Sequence, residues 1–203
     1  GDPDAPIRVA CRALPEHRLV AFAAAGNEGP QPGSVMSPAC EDLPAVIAVG
    51  CMTFSPFLIA EYSARGPTKA GLIKPDIVFF GHRLLTASPK SDTAFEIKSG
   101  TSFACPACAG VFNLGAELLS RTVGEEIWYG EEAIELCQQY LMRYVGKPEG
   151  APIEKDNVYG FGLPLGTEIL KAVLPMIDIS AITPILGIGM LGMVMTGMAG
   201  AMK

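Results

Sequence analysis

The chain has 203 residues, with 15 Lys+Arg against 21 Asp+Glu and a formal net charge of −6. That length accommodates one α/β domain with a sizeable core, so neither disulfide nor metal staples are needed to explain a fold. The acidic balance and the lack of a basic stripe argue against a nucleic-acid partner, because nothing is present to neutralise a phosphate backbone.

In chain order, Asp4 followed by Ala5-Pro6 and by Ile7, Cys11 and Leu14 predicts a helix with Asp4 as its N-cap and an early proline. Leu19 to Ala25 is uninterruptedly apolar and ends in Gly26-Asn27-Glu28-Gly29-Pro30, the pattern of a strand buried on both faces that stops at a turn. Ala45 to Cys51 and Asp76 to Phe80 repeat that pattern, separated by loops such as Tyr62-Ser63-Ala64-Arg65-Gly66-Pro67. A helical period runs from Thr101 to about Leu119, and a second from Glu131 to Val145 places Cys137, Leu141 and Tyr144 on one face. Strands alternating with helices predict a parallel sheet with both faces covered. No internal repeat or low-complexity linker interrupts this pattern.

The composition changes after Pro175. Residues 179–202 contain no charge and are rich in Met and Gly, long enough to span a bilayer, while Pro184 and the glycines favour a tail buried against another protein chain. Both readings stay open, since hydropathy does not separate lipid from an apolar protein groove. The six cysteines (Cys11, Cys40, Cys51, Cys105, Cys108, Cys137) sit in apolar runs, as small buried hydrophobes do, which favours a reducing compartment. Secretion also remains open. Gly1 is not Met and no signal peptide precedes the domain, which points to an N-terminus made by cleavage or processing.

The segment Lys98 to Gly110, KSGTSFACPACAG, offers two chemistries: a serine at a helix start, or a C-x-x-C pair. A hydroxyl at Ser102 would sit where unpaired N–H groups and the positive helix end favour developing negative charge. Ser102 is therefore a candidate acyl-transfer nucleophile, its own N–H one oxyanion donor and the Asn27 amide, at the end of a strand, the second. Alone the signal is weak, because a serine at a helix start is ordinarily a cap.

Ser99-Gly100-Thr101-Ser102-Phe103-Ala104 with Pro106 and Ala109-Gly110 resembles the nucleophile signature of the subtilisin-like serine peptidases (subtilases), G-T-S-x-A-x-P-x-x-A-G. Ala23 to Gly29 resembles the segment carrying that family's oxyanion asparagine. The stretches Pro38-Ala39, Val46 to Gly50, Tyr62 to Gly66, Lys74 to Val78 and Gly160-Phe161-Gly162 ahead of Ala172-Val173 are similar to its other strands and turns, in the right order. The resemblance covers roughly residues 1–174 and implies a parallel-sheet α/β subtilisin-like fold, with residues 175–203 as an apolar tail. It also implies that Cys105 and Cys108 take positions of small packed residues, leaving the C-x-x-C spacing accidental. Ala107 replaces a histidine common in relatives that is not the catalytic base. Phe79-Phe80 before Gly81 replaces the usual Ala-Pro, which bears on local packing and not on mechanism.

The family's triad acid and base belong to D-[ST]-G and H-G-T-H segments ahead of the asparagine, and neither occurs here. His17 has the setting of a surface residue between a helix and a strand, His82 that of a loop residue, and neither shows ligand spacing; Asp76 matches a structural position of the family. The expectation is an incomplete, C-terminal portion of a subtilase, folded around a complementary N-terminal half that brings Asp and His, and hydrolysing peptide bonds of a peptide or protein substrate. The competing expectation is a catalytically inactive subtilase-like scaffold, anchored in a membrane or a larger assembly through 179–202. An esterase or acyltransferase would need a G-x-S-x-G elbow, which is lacking. No cofactor is expected; calcium is implied only by the family resemblance, and no loop shows oxygen-ligand spacing for it.

Overall fold

The computed structural model of the protein describes residues 2–17, 19–123, 142–143 and 145–165. The centre is a three-stranded parallel sheet in the order β1 (Phe22–Ala24), β2 (Ile47–Met52), β3 (Ile77–Phe80). Phe22 lies opposite Ile47, and Val49 opposite Ile77. All six residues of β2 are buried, as expected for a central strand covered on both faces.

Alternation along β2 divides the core. Ile47, Val49 and Cys51 pack with Ile77, Ala104 and Cys108 beneath α2 (Thr101–Val123), whose Phe112 meets Phe22 edge-on at 5.3 Å between ring centres. On the opposite face Ala48, with Val46 and Ala23, packs against Cys11 of α1 (Pro6–Ala13). Each fully buried Ile or Val contributes about 1.5–3 kcal/mol relative to exposure.

Asp76, immediately before β3, is wholly buried. Its Oδ2 accepts the Ala48 N–H at 2.8 Å and the Lys74 ammonium at 2.6 Å, while Oδ1 accepts from Lys155 at 2.7 Å. Lys74 is equally buried and also donates to the Val46 carbonyl at 3.3 Å. Desolvation, opposed by the neighbouring Asp76 charge, holds the Lys74 pKa below its usual range.

Four short strands were not anticipated. β4 (Leu84–Ala87) and β5 (Phe95–Lys98) form an antiparallel hairpin between β3 and α2; β6 (Val145–Gly146) and β7 (Leu163–Pro164) form a second pair, with β7 beside β3. Three expectations require correction. The N-cap of α1 is Ala5, without a side-chain cap, because Pro6 starts the helix and leaves Asp4 one residue too early. The first strand keeps only three of its seven expected residues and is half-buried, since β1 is a sheet edge, and Leu19 is exposed. Val145, expected to end a helix, belongs to β6; the rest of that helix lies almost wholly outside the described residues, as do Cys137, Ala172-Val173 and the 175–203 tail. Among the described residues no helix is long and apolar enough to cross a membrane.

Candidate active site

Ser102 is the second residue of α2, and its side chain is exposed at the helix N-terminus. The chain reaches it from β5 through Ser99 and Gly100, and that turn is held by the Gly100 N–H donating to the Gly81 carbonyl at 2.9 Å. Gly81 must be glycine for this approach: a Cβ there would lie 2.6 Å from the Gly100 oxygen and 2.8 Å from Ala104 Cβ. Asn27 reaches the same place from the turn after β1.

Thr101 fixes the asparagine. It is 1% exposed; its N–H donates to Asn27 Oδ1 at 2.9 Å, and its hydroxyl donates to the same oxygen at 3.0 Å while facing the Gly26 N–H at 3.3 Å. Both bonds engage the carbonyl end of the amide, which leaves the Nδ2 group to donate elsewhere. A point one bond length off Gly100 Cα, where a side chain would begin, is 3.0 Å from Ser102 Oγ and 3.5 Å from Asn27 Nδ2. Asn27 Oδ1 is 3.7 Å from the same point, so the serine hydroxyl and the asparagine amide lie side by side over Gly100. With the Ser102 N–H and the positive end of α2 beside it, this arrangement suits an oxygen that becomes negative.

The structure therefore brings together the two site residues predicted from sequence, Ser102 and Asn27. Sequence reading missed Thr101 as the group that orients Asn27; Gly-Thr-Ser was visible, but not that the threonine side chain would be buried against a residue 74 positions earlier. The C-x-x-C pair has a different character. Burial pushes the Cys105 thiol up, and burial followed by the proximity of Cys105 pushes Cys108 far up, so both stay protonated and unreactive. All five described cysteines are free.

Neither histidine stands as a base for Ser102 among the described contacts. His17 is exposed at the end of a short 3-10 turn (Pro15–His17) after α1. His82 turns its Nδ1 to the Tyr62 hydroxyl at 3.3 Å. For a cation, the described residues hold no cluster of three His, Cys, Asp or Glu. The buried Asp76 carboxylate is already met by two ammonium groups, so it does not fit a calcium ligand.

A parallel sheet backs a serine at a helix start, with an asparagine amide beside it. The family model described as the subtilase family matches residues 6–162, and the chain belongs to that family. It is 33% identical to the serine protease AprX of Bacillus subtilis (strain 168), over 46% of this chain and 25% of that protein. Against pyrolysin of Pyrococcus furiosus it is 29% identical, over 85% of this chain and 14% of that protein. Among solved structures, the Clostridium perfringens CspB protease matches with a TM-score of 0.58 and 25% identity, over 72% of this chain and 30% of that one. The S218A mutant of the PatA protease domain matches with a TM-score of 0.62 and 26% identity, over 86% and 55%. The chain thus spans a quarter or less of the curated relatives' length.

Proposed function

We propose that this chain is the nucleophile-bearing part of a serine endopeptidase. The observation that carries the reading is the placement of Ser102 Oγ and Asn27 Nδ2 side by side over Gly100. Ser102 Oγ attacks the scissile carbonyl carbon and passes its proton to a histidine; the carbonyl oxygen, now negative, is held by Asn27 Nδ2 and the Ser102 N–H. Collapse breaks the C–N bond, the amine leaves with the proton, and water releases the acyl group from Ser102 by the same steps.

The histidine and the acid that orients it come from a complementary N-terminal half of the subtilase fold. Two observations support such a partner. The sequence lacks the D-[ST]-G and H-G-T-H segments. Among the described residues β1 is an edge strand, and Leu19 ahead of it and Ile7 and Val9 of α1 are exposed, which leaves apolar surface and an open edge for further strands to meet.

A second reading, an inactive scaffold, is favoured by the placement of His17 and His82 away from a base's role; on it, the uncharged 179–202 stretch docks into a membrane or a larger assembly. A fluorophosphonate probe applied to the intact assembly decides between them. The peptidase reading expects labelling of Ser102 that Ser102→Ala abolishes. Absence of labelling with the complementary half present rejects the peptidase and leaves the scaffold.

A further inference from the structure

Behind the turn that carries Ser102, side chains from separate segments meet at one hydroxyl. Tyr62, in the loop after β2, places its Oη 3.1 Å from Cys51 Sγ of β2 and 3.3 Å from His82 Nδ1 in the loop leaving β3. The Tyr62 and His82 rings lie 5.9 Å apart with a 31° tilt.

The two loops are already tied through their backbones. Gly100 N–H donates to Gly81 O at 2.9 Å, and Arg83 N–H donates to Ser99 Oγ at 2.8 Å. The Tyr62 oxygen adds what those bonds lack, a side-chain link from the His82 loop to Cys51 at the rigid centre of the sheet. The loop that carries Tyr62 is itself pinned there, since Ser63 Oγ accepts the Cys51 N–H at 2.9 Å and the Ala60 N–H donates to the Cys51 carbonyl at 2.8 Å.

The Tyr62 oxygen thus has two side-chain partners, the Cys51 thiol and His82 Nδ1, which together use its capacity as donor and acceptor. Burial keeps the phenol protonated, with a pKa well above its usual value, which suits a permanent donor and not an acid. Filling the space alone would not need the oxygen; a phenylalanine ring would do it. What the hydroxyl supplies is direction.

We propose that Tyr62 is a positioning residue of the nucleophile turn: its hydroxyl holds the Gly81–Arg83 loop to β2 through His82 and Cys51, and the backbone bonds of that loop to Ser99 and Gly100 carry the restraint to the ground beside Ser102 Oγ and Asn27 Nδ2. Its effect on catalysis rests on the peptidase reading; its effect on the turn does not.

The test is hydrogen exchange of the intact assembly carrying Tyr62→Phe, read beside the fluorophosphonate labelling rate of Ser102. Backbone amides of residues 99–102 should exchange about 5- to 10-fold faster, the population change matching one lost hydrogen bond, while the amides of Ala48 and Val78 in the sheet keep their rates. Labelling should slow by a similar factor, and the His82 Nδ1 resonance should shift. His82→Phe, which removes only the other end of the bond, should give a smaller rise confined to the same amides. Unchanged exchange at 99–102 in both variants, or a rise shared equally by Ala48 and Val78, overturns the assignment. If wild-type Ser102 is not labelled, the peptidase reading falls while the exchange comparison still decides the role of Tyr62.

Discussion

The parallel sheet and the β4–β5 hairpin both lead to the turn that carries Ser102, yet they are built in opposite ways. Every residue of β2 is buried, and its neighbours on both faces are apolar. The hairpin instead turns its apolar face outward: Leu85, Phe95 and Ile97, which share one face through the Leu85–Ile97 and Ala87–Phe95 pairings, are 71%, 68% and 58% exposed. The difference teaches where the site's precision comes from. The sheet and α2 hold Ser102 by packing that cannot shift without loss of many contacts, whereas the hairpin holds its end through backbone bonds and contributes little buried surface.

Substitutions can break this contrast, beginning with the sheet's anchor. Asp76→Asn leaves Lys74 buried with no carboxylate to balance it, and should cost roughly 3–5 kcal/mol in chemical denaturation of the intact assembly. Recovery of wild-type stability in that variant would show that the buried ion cluster is not what secures β3 to β2.

Asn27→Ala removes a donor and also takes the acceptor from the buried Thr101 N–H and hydroxyl. It should lower the Ser102 labelling rate and kcat by about 10²–10³, the magnitude known for loss of one oxyanion donor in a subtilisin-type enzyme, with a smaller stability loss of about 1–2 kcal/mol in the denaturation midpoint. Equal losses of rate and stability would instead place Asn27 among the structural groups.

A third way to sharpen the comparison is pH, because the buried thiols Cys51 and Cys108 lie under α2 and none lies in the hairpin. Burial raises both thiol pKa values in the folded state above the unfolded ~8.5. Their contribution is then complete below about pH 8.5 and falls as pH rises above it toward the folded values, by up to ~1.4 kcal/mol per pH unit for each thiol. Thermal unfolding scanned from pH 8 upward should show the decline, and Cys108→Ala should flatten it. The smallest effect belongs to the hairpin: Leu85→Ser and Ile97→Ser should each stay within about 0.5 kcal/mol, measured as the shift in denaturation midpoint.

What the sequence made legible follows the same division. The runs Ala45 to Cys51 and Asp76 to Phe80 announced β2 and β3 because strands buried on both faces are apolar throughout, and Gly-Thr-Ser with a following helical period announced α2 and Ser102. Asn27 was legible from the Gly-Asn-Glu-Gly turn closing a strand. The edge position of β1 was not, since an apolar run does not state how many neighbours it has. The hairpin was missed although Phe95-Glu96-Ile97-Lys98 alternates, because its apolar side faces out and carries no core signal. Thr101 and Tyr62 were missed for a common reason: their roles are hydrogen bonds to residues far away in the chain, and no local pattern encodes a partner.

Lys155 and Asp76 are separated by 79 positions, and their ammonium–carboxylate contact joins β3 to the last described loop. On the ribosome, Lys74 emerges with Asp76 and balances its charge at once, whereas the second ammonium arrives only after synthesis has passed Lys155. The contact between β3's buried carboxylate and that loop is therefore of long sequence separation, the kind that forms late in folding.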